Sequence, residues 1–309
     1  MSGPVAALAG ATGFLGGRLA RLLLARGWRV RALARRPAGK TALSSEGCET
    51  ILGDLDNVEA LARLVDGAAV TVNCAGLIKA RDRASFFAVN RDGAARMAAA
   101  TSGRHVLVSS LAAREPGLSD YAASKRAGEE AARAAAGGRL AIVRPPVIYG
   151  PGDRETLALF RMAGRSPLAP IPGQPAARLV LAHVDDVAEA IVDLMERPDL
   201  DGVYAVGGDR PAGYAWREIM AAAWAAMGRA PRFARLPSWS VWAAARLSET
   251  AAPFRGAPPI FTRGKAREML HVDWAVHAGE LAPGGPTAGY SLEAGFADAV
   301  RWYRHAGWL

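Results

Sequence analysis

Val5-Ala6-Ala7-Leu8-Ala9-Gly10-Ala11-Thr12-Gly13-Phe14-Leu15-Gly16 is the stretch that decides the fold of this chain. It begins with small apolar residues, as in a buried strand, and three glycines then follow at regular spacing. The next residues predict an amphipathic helix, with leucines on one side and arginines elsewhere. A strand, a glycine turn and a helix in this order are typical of a dinucleotide site, because the glycines admit a pyrophosphate to the amides at the helix N-terminus. The residues predicted to bind it are Gly10, Thr12, Gly13, Phe14, Leu15 and Gly16.

Further strand-like apolar runs alternate with helical patterns through the first half of the chain. This alternation predicts an α/β fold with a doubly wound, parallel (Rossmann) sheet. We expect strands near residues 5–9, 29–34, 48–52, 69–73, 104–109 and 139–143. Since the later part is richer in Pro, Gly and Trp, we predict a dinucleotide-binding core over residues 1–150. Residues 151–309 should form mainly a smaller C-terminal substrate-binding lobe, with some segments returning to the core.

A tyrosine and a lysine stand four residues apart in Asp120-Tyr121-Ala-Ala-Ser-Lys125. Nearly all of the 38 basic residues are arginines, so a lysine here indicates that a compact ammonium is needed. Residues 122–136 predict a helix, which places both side chains on one face, a turn apart. A neighbouring cation favours the phenolate and lowers the pKa of a tyrosine from its ordinary value of about 10. The pair is therefore a candidate proton donor for a carbonyl group, although surface residues also show this spacing.

With these features the chain resembles the extended and atypical short-chain dehydrogenase/reductases over nearly its whole length. The glycine turn and the Tyr121–Lys125 pair match the phosphate loop and the catalytic helix of that family. Further matching segments follow in the family's order: Gly53-Asp54-Leu55, Val72-Asn73-Cys74-Ala75-Gly76, Val89-Asn90, Val108-Ser109-Ser110, residues 144–152, and His183-Val184-Asp185-Asp186-Val187-Ala188. So many matches in one order imply the family's fold and a nicotinamide cofactor.

The resemblance implies a role for each matched residue. Tyr121 would donate a proton, Ser110 would polarise the substrate carbonyl, and Lys125 would bind the nicotinamide ribose and lower the pKa of the tyrosine. Asn90 would hold a helix irregularity and a water leading to the lysine, the alternative being a plain helix-surface asparagine, and Ser109 would support the strand end. The other residues implied to contact the cofactor are Asp54 and Leu55 at adenine, Ala75 and Gly76, and Pro145 and Val147 along nicotinamide.

The end of the second predicted strand bears on the choice between NAD and NADP(H). An acidic residue there would bind the ribose hydroxyls of NAD, but Trp28-Arg-Val-Arg-Ala-Leu-Ala34 is followed by Arg35-Arg36. Guanidinium groups bind phosphate in a bidentate and geometrically selective manner. Arg35 and Arg36 therefore predict NADP(H), the alternative being that they are solvated loop charges.

The residues after Ser110 narrow the reaction within this family. Nucleotide-sugar dehydratases place an Asp-Glu pair after the hydroxyl residue, whereas Leu111-Ala112-Ala113 stands here, so β-elimination would lack its acid and base. Epimerases usually retain a tightly held NAD, and Arg35 and Arg36 argue against NAD. The reduction of a carbonyl group, or its reverse, remains.

An aromatic, proline-rich segment in the later part of the chain is the candidate substrate side. It comprises residues 236–247, Phe254 and Pro258-Pro259-Ile260-Phe261. Trp239 and Trp242, three apart on one helical face, are compatible with an apolar pocket, a membrane-interface helix or simple packing of the lobe, and the sequence leaves all three open. We expect a hydrophobic small molecule or lipid as the substrate.

Composition limits the other partners. The net charge of +9 favours an anionic partner, but the arginines are scattered, without the aromatic-interleaved basic stripe of nucleic-acid-binding proteins. Cys48 and Cys74 lie in predicted strands and predict buried, reduced thiols, and no Cys/His cluster has metal-ligand spacing. Because the first predicted strand begins at Val5 we expect no leader sequence, and no long apolar run predicts a spanning helix. We expect a cytoplasmic protein, at most peripheral to the inner membrane, without a metal; its oligomeric state stays open.

Within the family, the segments around Tyr121 and Arg144 look most similar to the atypical branch. That branch contains the nucleotide-binding accessory subunit of respiratory complex I and bacterial reductases of long-chain keto lipids, including sphingoid and ceramide precursors. The first hypothesis is therefore NADPH-dependent reduction of a ketone on a hydrophobic, long-chain lipid, with Tyr121 as proton donor. The alternatives are a non-catalytic NADPH-binding accessory subunit and, further off, a nucleotide-sugar epimerase.

Overall fold

Parallel strands dominate this protein, as its alternating apolar runs predict. The computed structural model describes residues 3–36, 46–255, 259 and 261–309. In chain order its strands are β1 (Val5–Ala9), β2 (Arg29–Ala34), β3 (Glu49–Leu52), β4 (Val70–Asn73), β5 (Arg104–Val108), β6 (Leu140–Arg144), β7 (Val147–Tyr149), β8 (Leu168–Ile171), β9 (Arg178–Leu179), β10 (Leu181–His183), β11 (Gly202–Ala205), β12 (Arg232–Arg235) and β13 (Asp273–Trp274).

Capping residues mark where several helices begin, because their side chains accept hydrogen bonds from the first free amides. Asn57, Ser119, Thr262 and Ser291 act in this way. The α-helices are α1 (Phe14–Ala25), α2 (Val58–Val65), α3 (Arg83–Phe87), α4 (Gly93–Ala100), α5 (Asp120–Ala135), α6 (Leu157–Arg165), α7 (Val184–Glu196), α8 (Trp216–Ala226), α9 (Ser238–Arg255), α10 (Arg263–Leu270) and α11 (Leu292–His305). A π-helical turn, Ala88–Asp92, joins α3 to α4, and 3₁₀ helices cover Leu111–Arg114 and Ala278–Glu280. None of the described helices is both long enough and apolar enough to cross a membrane.

The first of two compact units contains a seven-stranded parallel sheet with the order β11-β6-β5-β4-β1-β2-β3. The predicted doubly wound α/β fold is therefore confirmed, and the six expected strands lie within one or two residues of the observed bounds. The strand order reverses between β1 and β4, and ligands of such sheets bind beyond the carboxyl ends of the strands at this reversal. This edge of the sheet is where the glycine turn lies.

β11 is absent from the sequence-based prediction because it is a short edge strand, only its last residue being buried. The buried side chain of Arg104 helps to hold the segment before it. Its guanidinium donates hydrogen bonds to the carbonyl oxygens of Leu194, at 2.7 Å, and Leu200, at 2.8 Å, and it pairs with Asp201 at 2.5 Å. These contacts join residues about ninety positions apart, so no local pattern could predict them.

Small side chains let helices pack closely against this sheet. Ala6, Ala7 and Ala9 of β1 are fully buried, and larger side chains from the neighbouring strands and helices fill the remaining space. One cluster lies between α2, α4 and the strands β1 to β3; its larger members are Leu33, Ile51, Leu55, Leu61, Leu64 and Met97. Burying each such side chain stabilises the fold by about 1.5–3 kcal/mol.

The second unit packs around aromatic side chains. Tyr149, Phe160, Trp224, Phe296 and Tyr303 are its largest fully buried residues. The buried polar atoms of two of them have partners, since the Trp224 indole donates to a backbone oxygen at 2.8 Å and the Tyr303 hydroxyl does so at 2.7 Å. Three parallel strand pairs, β7 with β10, β8 with β12 and β9 with β13, lie in this unit.

The boundary between the units differs from the sequence-based boundary at residue 150. The first unit comprises Met1–Arg144, Ala188–Ala205 and Ala282–Pro286, and the second comprises Pro145–Val187, Val206–Leu281 and Thr287–Leu309. The second unit begins early because β7 pairs with β10 rather than with the large sheet. Residues 188–205 and 282–286 are the later segments that belong to the sheet-bearing unit.

Candidate functional site

The glycine turn after β1 leaves room for a phosphate group at the start of α1. Gly10 has a φ of 81°, a left-handed conformation that favours glycine, and a Cβ there would lie 2.5 Å from the amide nitrogen of Ala75. A Cβ at Gly16 would lie 2.2 Å from the carbonyl oxygen of Gly10, so the helix and the turn meet too closely for a larger residue. Gly13 is the N-cap and has no side chain that could occupy the first amides of the helix. Those amides can therefore bind an anionic group.

Backbone hydrogen bonding holds the turn in this shape. The Gly13 amide donates to the carbonyl oxygen of Gly10 at 2.9 Å. Thr12 is exposed at the tip of the turn, and Phe14 and Leu15 are half-buried in the first turn of the helix. The turn thus presents mostly backbone to a ligand, which fits the pyrophosphate of a nicotinamide dinucleotide.

The carboxyl ends of β2 and β3 continue the same edge of the sheet, since both strands run parallel to β1. Arg35 and Arg36 follow β2 directly and are exposed, and Asp54 is exposed after β3. The Leu55 side chain is instead buried in the core, where its Cδ1 would lie 2.7 Å from a Cβ at Gly93. Leu55 could therefore contact adenine through its backbone, whereas its side chain packs the fold.

Ala75 and Gly76 connect the glycine turn to the predicted catalytic residues. Ala75 lies against Gly10, and a Cβ at Gly76 would lie 3.2 Å from Asn90 Oδ1 and 3.6 Å from Lys125 Nζ. One short segment after β4 therefore adjoins both the phosphate turn and the lysine. The structure brings these predicted residues together within the first unit.

Asn90 is buried in the π-helical turn rather than exposed on a helix surface. Its Oδ1 accepts a hydrogen bond from the Leu77 amide at 2.8 Å, and its Nδ2 donates to the Leu77 carbonyl oxygen at 3.0 Å and to Ser124 Oγ at 2.9 Å. The Ser124 hydroxyl donates in turn to the carbonyl oxygen of Tyr121 at 2.8 Å. Asn90 therefore ties the loop after β4 to the helix that carries the tyrosine. π-helical turns of this kind are frequent at functional sites.

Tyr121 and Lys125 lie one turn apart in α5, as the sequence predicts. The Tyr121 ring is tilted against Phe86, with the ring centroids 6.2 Å apart. The Lys125 ammonium donates a hydrogen bond to the carbonyl oxygen of Val108, at the end of β5, at 2.8 Å. This bond brings the ammonium to the strand end from which Ser109 and Ser110 follow.

Burial sets the protonation of Lys125. Desolvation lowers the pKa of this lysine to about 8, and the carboxylate of Glu129, one helical turn further on, opposes the lowering. Burial also raises the pKa of the neighbouring Cys74 thiol to about 12, with the lysine charge acting in the opposite direction. The ammonium and a neutral thiol therefore coexist below pH 8. Cys48 and Cys74 each lie one residue outside an observed strand, Cys48 before β3 and Cys74 after β4, and Cys48 is buried whereas the residue Cys74 as a whole is half-buried.

Ser109 and Ser110 have different partners. The Ser109 hydroxyl is buried and donates to Glu129 Oε1 at 2.5 Å. Ser110 is half-buried, and its Oγ accepts from the Ala112 amide at 3.2 Å as the N-cap of a 3₁₀ helix. The Ser110 hydroxyl hydrogen is not used in that bond and can donate to a carbonyl oxygen, whereas the Ser109 hydroxyl donates to Glu129.

Glu129 is a site residue that the sequence-based interpretation missed. Its side chain is only 4% exposed, and Arg144 donates two hydrogen bonds to its oxygens, at 2.8 and 2.6 Å. The carboxylate thereby joins α5 to the ends of β5 and β6, and it lies one helical turn after Lys125. The spacing of four between Lys125 and Glu129 was the available signal, since such residues share a helix face.

Pro145 and Val147, predicted to contact nicotinamide, belong to the second unit, where Val147 begins β7 and is 44% exposed. Trp239 and Trp242 also belong to this unit but do not share one environment: Trp239 is exposed, whereas Trp242 packs against a small buried cluster. The two tryptophans, which the spacing of three predicts on one helical face, thus have different surroundings.

Two residues of the aromatic segment, Pro258 and Ile260, lie outside the described residues. Among the residues that are described, no group of three or more His, Cys, Asp or Glu side chains could hold a metal ion.

Changing Glu129 to Gln should shift the pH dependence of activity. The carboxylate raises the pKa of Lys125 against the effect of burial, so its loss should let the lysine lose its proton at a lower pH. Activity that needs the ammonium should then decline at a lower pH than in the unmodified protein, where the decline is expected near pH 8. The measurement is kcat/KM against pH, which reports groups of the free enzyme.

The Ser109→Ala variant is the matched control, because it removes a hydrogen bond to the same carboxylate and leaves both charges in place. Its pH profile should stay where it is. Thermal unfolding of both variants would show that the fold persists, since Arg144 loses its partner in Glu129→Gln. A Glu129→Gln profile that is unmoved, or that moves to higher pH, would contradict the role given to Glu129.

Comparison with known proteins places this architecture among nicotinamide-dependent enzymes. The model of the NAD dependent epimerase/dehydratase family matches residues 6–207. A ceramide reductase of Caulobacter vibrioides (strain NA1000 / CB15N) is 47% identical over 308 residues, which cover 99% of this chain and 96% of that protein. The mitochondrial NADH dehydrogenase (ubiquinone) 1 alpha subcomplex subunit 9 of Dictyostelium discoideum is 27% identical, over 71% of this chain and 63% of that protein.

A solved structure shares the fold at low sequence identity. The human epimerase family protein SDR39U1 (isoform 2), determined with NADPH, superposes with a TM-score of 0.73 at 22% identity. The match covers 96% of this chain and 99% of the human one. It supports the shared architecture of the chain independently of the sequence matches.

Proposed function

This chain belongs to the NAD dependent epimerase/dehydratase family, and we propose that it uses NADPH to reduce a ketone on a long-chain lipid to an alcohol. The observation that carries the proposal is the 47% identity to a ceramide reductase over 99% of the chain. The match spans nearly the full length of the chain and therefore extends over the segments that carry Ser110, Tyr121 and Lys125. The substrate class that we favour is therefore an oxidised ceramide or a keto-sphingoid base.

In the proposed reaction Tyr121 transfers its phenolic proton to the carbonyl oxygen while NADPH, when bound, supplies a hydride to the carbonyl carbon. Ser110 donates a hydrogen bond to the same oxygen and polarises the carbonyl bond. Lys125 is charged below pH 8, and its charge favours the tyrosinate that is left after the proton has moved. Asn90 keeps the helix of Tyr121 in place through Ser124, so it acts as a positioning residue.

We further propose NADPH rather than NADH as the reductant. The support is the exposed Arg35–Arg36 pair after β2, where a carboxylate would bind the ribose hydroxyls of NAD. Guanidinium groups at this position suit a 2′-phosphate, to which they donate paired hydrogen bonds. Arg35 and Arg36 would hold that phosphate, and the amides at the start of α1 would hold the pyrophosphate.

The test is NADPH oxidation by the purified protein with matched ketones of increasing acyl length. If the acyl chain is buried, kcat/KM should rise about fourfold per methylene until the pocket ends, because each buried methylene is worth about 0.8 kcal/mol. Mass spectrometry should show a product two hydrogens heavier than the ketone. Activity that does not depend on chain length would refute the lipid substrate, and no oxidation with any ketone would refute the reaction.

A second candidate is a non-catalytic subunit with a structural NADPH, and the similarity to the mitochondrial NADH dehydrogenase subunit favours it. In that case the protein should retain NADPH through purification, and none of the ketones should cause its oxidation. A nucleotide-sugar epimerase, the further alternative, would isomerise its substrate without net oxidation of NADPH. The same assay therefore separates ketone reduction from both alternatives, and isomerisation of an added nucleotide sugar would distinguish the epimerase from the accessory subunit.

A further inference from the structure

Helix α9 of the second unit presents large apolar side chains to solvent. Trp239, Leu247 and Phe254 are 72%, 71% and 93% exposed. At 3.6 residues per turn their side chains leave the helix within an arc of roughly 80°, so they form one face. We call this face of Trp239, Leu247 and Phe254 the apolar face of α9. Large apolar side chains clustered on one exposed face usually mark an interaction site.

The opposite side of the same helix holds it to the second unit. Val241, Ala245 and Ala252 are buried there, and Trp242 packs on the cluster that Val241 and Ala245 form with Ala266. The inner face therefore satisfies the packing needs of the helix. The apolar face of α9 is not used in packing the helix against the second unit, and it is accessible to a partner.

The stretch of sequence that contains this helix carries an excess of positive charge. Residues 229–268 contain eight basic and two acidic residues. Both acidic side chains are already engaged, Glu249 with Arg263 at 2.8 Å and Glu268 with Lys265 at 3.0 Å. Arg246 is exposed one residue before Leu247 and thus borders the apolar face of α9. A partner that covers this surface must offer apolar contact and negative charge together.

We propose that α9 lies in the interface of an anionic lipid bilayer, with Trp239, Leu247 and Phe254 inserted among the acyl chains near the headgroups. Tryptophan, leucine and phenylalanine are the side chains that interfacial helices insert at the headgroup boundary, and here the exposed Arg246 lies beside them. Anionic headgroups neutralise the surrounding arginines and add to the attraction. A second copy of this chain is the less suitable occupant, because it would place two positively charged surfaces against each other.

Sedimentation of the full chain with lipid vesicles tests the proposal. The vesicles are pure phosphatidylcholine, or phosphatidylcholine and phosphatidylglycerol in equal parts, with neither ketone nor NADPH present. The unmodified protein should sediment with the mixed vesicles, bind the neutral ones more weakly, and lose binding to the mixed ones as salt screens the charges. The triple variant Trp239→Ser/Leu247→Ser/Phe254→Ser should bind the mixed vesicles at least about tenfold more weakly, since the inserted area is lost.

Leu52→Ser/Val58→Ser is the matched control, because both residues are exposed apolar side chains of the first unit. Its vesicle binding should equal that of the unmodified protein, and circular dichroism should show all three proteins folded. Unmodified protein that stays in solution with both vesicles would overturn the proposal, as would a triple variant that binds undiminished. A dimer that dissociates in the triple variant, without any vesicle binding, would assign the face to a second copy instead. Because no reaction takes place in this assay, its outcome is independent of the proposed ketone reduction.

Discussion

Replacing Tyr121 with phenylalanine should lower kcat for ketone reduction by about 10²–10⁴-fold, the usual contribution of a positioned acid. In free energy this is about 3–5 kcal/mol of lost transition-state stabilisation. The substitution removes one hydroxyl and keeps the ring, which packs against Phe86. The backbone oxygen that accepts from Ser124 also stays, so the link to Asn90 is preserved. The loss should therefore be confined to the proton transfer.

Two measurements on Tyr121→Phe separate chemistry from binding: steady-state NADPH oxidation, and the dissociation constant of NADPH from fluorescence titration. The dissociation constant should stay close to its original value. Tyr204→Phe, at a half-buried tyrosine of β11, is the matched control and should retain activity. Lys125→Ala should impair both quantities, because the ammonium serves the ribose and the tyrosine.

Undiminished turnover by Tyr121→Phe on the true substrate would mean that another group donates the proton. The non-catalytic alternative predicts a different pattern, in which neither the unmodified protein nor the variant oxidises NADPH and both bind it equally. The comparison therefore also distinguishes the two candidate functions.

The features that sequence predicted well are those specified by neighbouring residues. The unit of β1, glycine turn and α1 depends on a continuous run of small apolar residues and on Gly10 and Gly16, where a side chain would collide with backbone. The Tyr121–Lys125 spacing places both residues on one helix face whatever surrounds them. Because such constraints involve residues close together in the sequence, the fold, the glycine turn and the Tyr121–Lys125 pair could be predicted from it.

The features that sequence missed depend on contacts between distant segments. Glu129 looks like a surface residue of an amphipathic helix until Arg144 and Ser109 are seen to meet it in the folded protein. The segment just before the edge strand β11 is held by Arg104, nearly a hundred positions earlier in the chain. Hydrophobic periodicity does not reveal such pairings, because each residue would fit the local pattern of its own helix or strand whatever its distant partner is.

The tryptophans illustrate a second limit. The spacing of three predicted Trp239 and Trp242 on one helical face. At 3.6 residues per turn, however, their side chains point in directions roughly 60° apart around the helix axis. That difference is enough to leave one ring in solvent and to put the other against Ala266 and its neighbours. A helix that is apolar on both sides has no pattern that says which side faces inward.

Changing Arg35 to Asp should weaken NADPH binding by about ten- to a hundredfold and erode or reverse the preference over NADH. The reason is that one charge-assisted contact to the 2′-phosphate is worth about 1.5–3 kcal/mol, and the new carboxylate repels that phosphate. The same carboxylate can accept hydrogen bonds from the ribose hydroxyls of NADH, so binding of NADH should hold or improve. Dissociation constants for both cofactors, measured at one ionic strength, give the ratio directly.

Arg63→Asp is the matched control for charge. It makes the same change in net charge at an exposed arginine in the last turn of α2, which runs back from the carboxyl edge of the sheet on which Arg35 lies. A general electrostatic effect of the positively charged protein on anionic ligands would lower NADPH affinity equally in both variants. A specific contact predicts a loss only in Arg35→Asp, and Arg36→Ala should show a smaller loss of the same kind if the two guanidiniums share the phosphate. Equal affinity of the unmodified protein for NADPH and NADH would overturn the assignment, because a site built for the 2′-phosphate must distinguish the two.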